Sequence, residues 1–86
     1  MSGTVGRTLV ACGVQCDVTL GEPAANASFA ASQIREAVSD TGARLVVFPE
    51  AALTGYVFES LDEAREKGIR SDGPELASVA RACSDA

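Results

Sequence analysis

Apolar residues fall along this chain in two short continuous runs and several spaced series, and the change of pattern marks its elements. Thr8 to Cys16 is rich in Val and Leu without clean alternation, which predicts a strand over 8–16 covered on both faces by helices. Gly21-Glu22-Pro23 then punctuates the chain, with Pro23 suited to the first helical position and Glu22 beside the helix's positive end. Over 23–41, Ala27, Ala30, Ile34, Ala37 and Val38 recur at helical spacing, while Ser32, Gln33, Arg35, Glu36, Ser39 and Asp40 fill the other face. Gly42 stands where a left-handed residue closes a helix. Arg44 to Phe48 is a second apolar run, a strand ended by Pro49, which cannot donate to a sheet ladder.

Strand, helix and strand in that order predict one βαβ unit with parallel strands. Ser60-Leu61-Asp62-Glu63 is a capping box that opens a helix stopping at Gly68. Asp72-Gly73-Pro74 opens another, through about Cys83, with Leu76, Val79 and Ala80 on one side. The expected class is therefore α/β: a βαβ unit followed by two helices. Its 86 residues fit one small core and leave little room for a deep enclosed site.

Charge and cysteine content narrow the function classes. Seven basic residues against twelve acidic ones give a net charge of −5, and the basic residues are scattered. Nucleic acid and anionic membrane surfaces both need clustered Lys and Arg, so neither is an expected partner. Leu9-Val10-Ala11-Cys12 looks like a lipoprotein cleavage box, but Arg7 leaves too short an apolar stretch before the cysteine. No apolar run approaches the length of a membrane span.

The sequence has no histidine, which removes Ser-His-Asp and Cys-His catalysis and His-containing zinc sites from this chain. The three cysteines, Cys12, Cys16 and Cys83, are odd in number and unpatterned in spacing. On one strand Cys12 and Cys16 lie about 13 Å apart at ~3.3 Å per residue, too far to bridge. Reduced thiols and a cytoplasmic setting are expected.

Parallel strands bring their carboxyl ends to one sheet edge, where open α/β sheets bind ligands. Gln15-Cys16-Asp17 ends the first strand and Pro49-Glu50 the second. Glu50 follows a rigid apolar strand and precedes Ala51-Ala52-Leu53, and apolar surroundings disfavour a carboxylate's charged form, as suits a general base. The plainer alternative is a solvated turn carboxylate. Gln15 and Asp17 could support the same edge, and Tyr56 by itself reads as an ordinary packed aromatic.

The string Leu45-Val46-Val47-Phe48-Pro49-Glu50-Ala51-Ala52-Leu53-Thr54-Gly55-Tyr56 resembles the first signature of the nitrilase, or carbon–nitrogen hydrolase, superfamily. Val14-Gln15-Cys16-Asp17, Leu20-Gly21-Glu22-Pro23, Asn26, Ala43-Arg44-Leu45 and Asp72-Gly73-Pro74 are similar to that family's amino-terminal segment. The resemblance implies an α-β-β-α sandwich, of which residues 1–86 would be an amino-terminal, partial domain. It also implies hydrolysis of non-peptide C–N bonds in amides, nitriles or carbamoyl compounds by Glu, Lys and Cys, without metal or cofactor.

Glu50 matches the family's glutamate, and Tyr56 by analogy lines the substrate pocket. The family's lysine and cysteine lie at later strand ends. Lys67 suits a helix C-terminus and Cys83, near a helix end, an ordinary buried or half-buried thiol, so neither is expected to replace them. The chain alone is expected to be inactive and to self-associate through its uncovered sheet. The competing class is a non-catalytic α/β module that binds a protein partner through that sheet.

Overall fold

The computed structural model describes residues 8–55 and 58–86, in which two strands and three helices follow one another. The strands are β1, Ala11–Gly13, and β2, Leu45–Val47, and the helix between them is α1, Pro23–Thr41. The later helices are α2, Leu61–Lys67, and α3, Pro74–Asp85.

The strands pair in parallel with Ala11 opposite Leu45, Cys12 opposite Val46 and Gly13 opposite Val47. Each is shorter than its apolar run because it has one partner strand to bond. The ladder nevertheless reaches one residue further each way: Val14 N–H donates to Val47 O, and Arg44 N–H to Val10 O, both at 2.8 Å. A βαβ unit followed by two helices is what the pattern predicts.

Helix α1 keeps its predicted bounds because both ends are chemically marked. Pro23 sits in the first turn, where its missing N–H costs nothing. Gly42 takes φ 71°, and its N–H caps Val38 O at 2.9 Å. The buried stripe is Asn26, Ala27, Ala30, Ala31, Ile34 and Ala37, so five of six are the predicted kind of apolar residue and one is an amide. Small side chains let α3 lie close alongside. Pro74 and Ser78 neighbour Ala24 and Ala27 at one end, and Asp85 pairs with Arg35 at 3.2 Å at the other. The two helices therefore run in the same direction.

Helix α3 turns a different face inward from the one expected. Ala82 is fully buried and Val79 half-buried, whereas Leu76 and Ala80 are exposed. Its N-cap is Gly73, set by Pro74 at the first helical position, and the Asp72 carboxylate accepts from the Arg70 guanidinium at 2.9 Å. That pairing holds the Asp72 carboxyl below its ordinary value. At the start of α2 the Ser60 hydroxyl accepts from Glu63 N–H at 3.0 Å, as a capping box requires. The return arm shifts by one residue, with Glu63 Oε1 accepting from Glu59 N–H at 3.4 Å.

The core is small and lies on one side of the sheet. Ala31, Ile34 and Ala82 form its centre, with Val46, Phe48 and Val79 packed against them. Coverage of both strand faces is the expectation that fails. Ala11, Gly13, Leu45 and Val47 alternate outward, and Leu45 and Val47 remain 47% and 53% exposed. The helical burial serves the Cys12–Val46 face, where α1 and α3 pack together against Val46 and Phe48, and α2 buries no residue.

Candidate active site

Parallel pairing delivers the carboxyl ends of β1 and β2 to the same edge, and a crevice of about 330 Å³ opens there. Cys16, Asp17 and Leu20 line it from the loop between β1 and α1. Pro49, Glu50 and Gly55 line it from the turn after β2. The expected convergence of Glu50 with the first strand's end is therefore present. Asp17 shares the crevice, whereas Gln15 lines a separate groove with Gln33 and Glu36 of α1.

Glu50 is exposed, which corrects its expected burial among apolar neighbours. Ala51, Ala52 and Leu53 are half-buried beside it, but they turn away and leave the carboxylate facing water. Backbone geometry confines it instead. Ala51, immediately after Glu50, takes φ 52°, a left-handed conformation that a residue with a Cβ adopts only when its surroundings impose it. Its carbonyl then accepts from Thr54 N–H at 3.2 Å and Gly55 N–H at 2.8 Å, which closes the turn.

Three contacts fix that turn against the opposite loop. Gly21 N–H donates to Thr54 O at 2.9 Å, and Asn26 Nδ2 donates to Leu53 O at 2.9 Å. The third is steric: Gly55, at φ 74°, lies so near the Leu20 backbone that an added Cβ would stand 3.2 Å from Leu20 Cα and 2.8 Å from Leu20 Cδ1. Gly42 has a similar φ of 71° with nothing within 4 Å of such a Cβ. Gly55→Ala should therefore destabilise the chain by more than the ~1–2 kcal/mol of a left-handed L-residue, and by more than Gly42→Ala. Urea midpoints of the two variants check this, and equal midpoints would show that the loop contact contributes nothing.

The remaining candidates are dispersed. All three cysteines are free thiols. Cys12 is half-buried under the sheet, and Cys83 is exposed rather than the buried or half-buried helix thiol the sequence suggests. Cys83 lines a separate groove of about 380 Å³ with Ile34, Val38, Val46 and Phe48. Lys67 lays its stem over Gly21, with its Cδ 3.2 Å from where a Cβ would be, and does not line the crevice. Tyr56 lies outside the described residues. Among those described, no three His, Cys, Asp or Glu side chains gather as a metal site needs, and no helix is long and apolar enough to cross a membrane.

The residue whose part the sequence did not reveal is Asn26. It stands in the sequence among the residues similar to the family's amino-terminal segment, with no role attached, and the fold adds that it is an amide on the otherwise apolar buried stripe of α1.

A parallel βαβ unit that presents a carboxylate at the carboxyl edge, within a crevice shared by two loops, defines an α/β domain of the strand-end type. The family model for carbon–nitrogen hydrolases matches residues 9–86, and this chain belongs to that family, the nitrilase superfamily. No curated protein and no solved structure matches the chain significantly.

Proposed function

We propose that this chain is the amino-terminal part of an amidohydrolase acting on a small amide, nitrile or carbamoyl compound, with Glu50 as its general base. The observation that carries the reading is the placement of Glu50 in the crevice at the carboxyl edge, within a chain of the carbon–nitrogen hydrolase family. In this scheme the Glu50 carboxylate takes the proton of a cysteine thiol, and the thiolate attacks the substrate carbon. A thiol of pKa about 8.5 needs such a base near neutral pH. For an amide, the C–S bond forms and the C–N bond breaks as Glu50 returns the proton to the leaving nitrogen. Water then cleaves the thioester, and an ammonium group stabilises the tetrahedral species.

No residue of this chain is assigned the nucleophile or the ammonium role: Cys83 and Lys67 lie outside the crevice, and Cys16, which lines it with Glu50, stands at the end of the first strand, whereas the resemblance puts the family's cysteine at a later strand end. The same reading takes β1 and β2 as the first strands of an α-β-β-α sandwich and the protein as cytoplasmic. Tyr56, by the resemblance, lines the substrate pocket.

The bare strand face with Leu45 and Val47 favours a second reading, a binding module without catalysis. A chimera in which residues 9–86 replace the matching segment of an active family member separates the two. Ammonia release from short amides, nitriles or carbamoyl compounds supports the hydrolase reading, and a folded but inert chimera supports the module.

A further inference from the structure

Asn26 is the buried polar residue of the described chain, 8% exposed in the first turn of α1. An asparagine side chain offers two N–H donors and one carbonyl acceptor, and buried polar groups are costly unless paired. Here both donors and one of the oxygen's two lone pairs are used. Oδ1 accepts from Thr19 N–H at 3.1 Å, while Nδ2 donates to Thr19 O at 2.7 Å and to Leu53 O at 2.9 Å. Its own backbone N–H is occupied too, donating to Glu22 O at 3.0 Å.

The three side-chain bonds join three pieces of chain: the loop before α1, the helix itself, and the turn that follows Glu50. Neither loop is held there by strand pairing, since β1 ends at Gly13 and β2 at Val47. Glu50 thus hangs between two fixed points. One is the end of β2 and the other is Leu53, three residues on, with Ala51 in its left-handed conformation between them. Releasing Leu53 removes the side-chain hold on the second point and leaves the turn to the Gly21–Thr54 bond and the Gly55–Leu20 contact.

We infer that Asn26 is a positioning residue for Glu50: its amide clamps the turn after β2 to the loop before α1 and so fixes the general base in the crevice. The inference rests on the proposed role of Glu50. Asn26 itself lines no part of the crevice and is not assigned contact with substrate.

Amide exchange on the 86-residue chain reads the clamp directly. Asn26→Ala should speed exchange roughly tenfold or more at Thr19 and Gly21 while leaving Gly42, at the far end of α1, unchanged. Asn26→Asp keeps the size and the Oδ1 acceptor for Thr19 N–H but loses both donors, so it should speed exchange at Gly21 as Asn26→Ala does while leaving Thr19 nearer to wild type. Wild-type exchange at Gly21 in Asn26→Asp, or equal acceleration at Gly42, would overturn the clamp.

The chimera reads positioning. Asn26→Ala should lower kcat by about 10- to 100-fold with KM little changed, as a base displaced by ~1 Å would. In a Glu50→Gln background the same substitution should cost nothing further. An equal loss in that background would make Asn26 merely structural and sink the inference. Unchanged turnover in Glu50→Gln alone would instead refute the base assignment, and with it the positioning role, while the exchange measurements still judge the clamp.

Discussion

Replacing Glu50 by glutamine in the chimera should leave the protein folded and lower turnover by ~10²–10⁴-fold, the usual contribution of a positioned acid or base. Glutamine has the shape of glutamate and no proton affinity at neutral pH, so the nucleophilic thiol would stay mostly protonated. Stability should barely change. Glu50 is exposed, and among the described residues its carboxylate has no ion-pair partner whose loss would be felt. A near-normal kcat with an unchanged thermal midpoint would return Glu50 to the status of a solvated turn carboxylate.

The isolated chain should sediment above its monomer mass. Leu45 and Val47 project from the uncovered sheet face, each about half exposed, next to strand edges whose backbone groups can accept another strand. Covering the exposed half of each side chain is worth roughly 1 kcal/mol at the usual apolar transfer value. Two such side chains on each of two copies amount to about 4 kcal/mol, or on the order of 10²–10³-fold in Kd. Leu45→Lys with Val47→Lys should therefore shift the chain towards monomer. Leu61→Lys, which removes an apolar side chain 65% exposed on α2, should not. A monomer that melts in one sharp cooperative transition would overturn this expectation.

Local chemistry made most of the fold legible. Pro23 and Gly42 bound α1 to the residue, because a missing donor and a left-handed cap each act at a single position. Ser60 marked α2 in the same way. What depended on three-dimensional packing was less readable. The apolar run over 8–16 says that the segment prefers burial but not that helices will reach only one of its faces. Leu76 and Val79 share a helical stripe in the sequence, yet the inward face of α3 is set by where Ala82 meets the small residues of α1.

The site divides along the same line. Glu50 could be found because a strand followed by Pro-Glu places a carboxylate at a sheet edge. Its exposure could not, since that depends on how the turn after β2 bends away. Asn26 was visible only through the family resemblance, without a role. Its partners are seven and 27 residues away, across two loops whose approach no short-range pattern encodes.

The parallel register also fixes an order of assembly. Ala11 meets Leu45 only after the whole of α1 has been laid down between them, whereas α1 depends on contacts four residues apart. Closing long loops is entropically slower than winding a helix, so α1 should gain protection first and the strand pair second. The clamp to Leu53 requires both, and so comes last. In pulse-labelled refolding, Gly42 should be shielded before Val14, and Val14 before Gly21; early shielding of Gly21 would contradict that order. The crevice edge is then the latest part of the chain to acquire its shape and the first to lose it when the loops part.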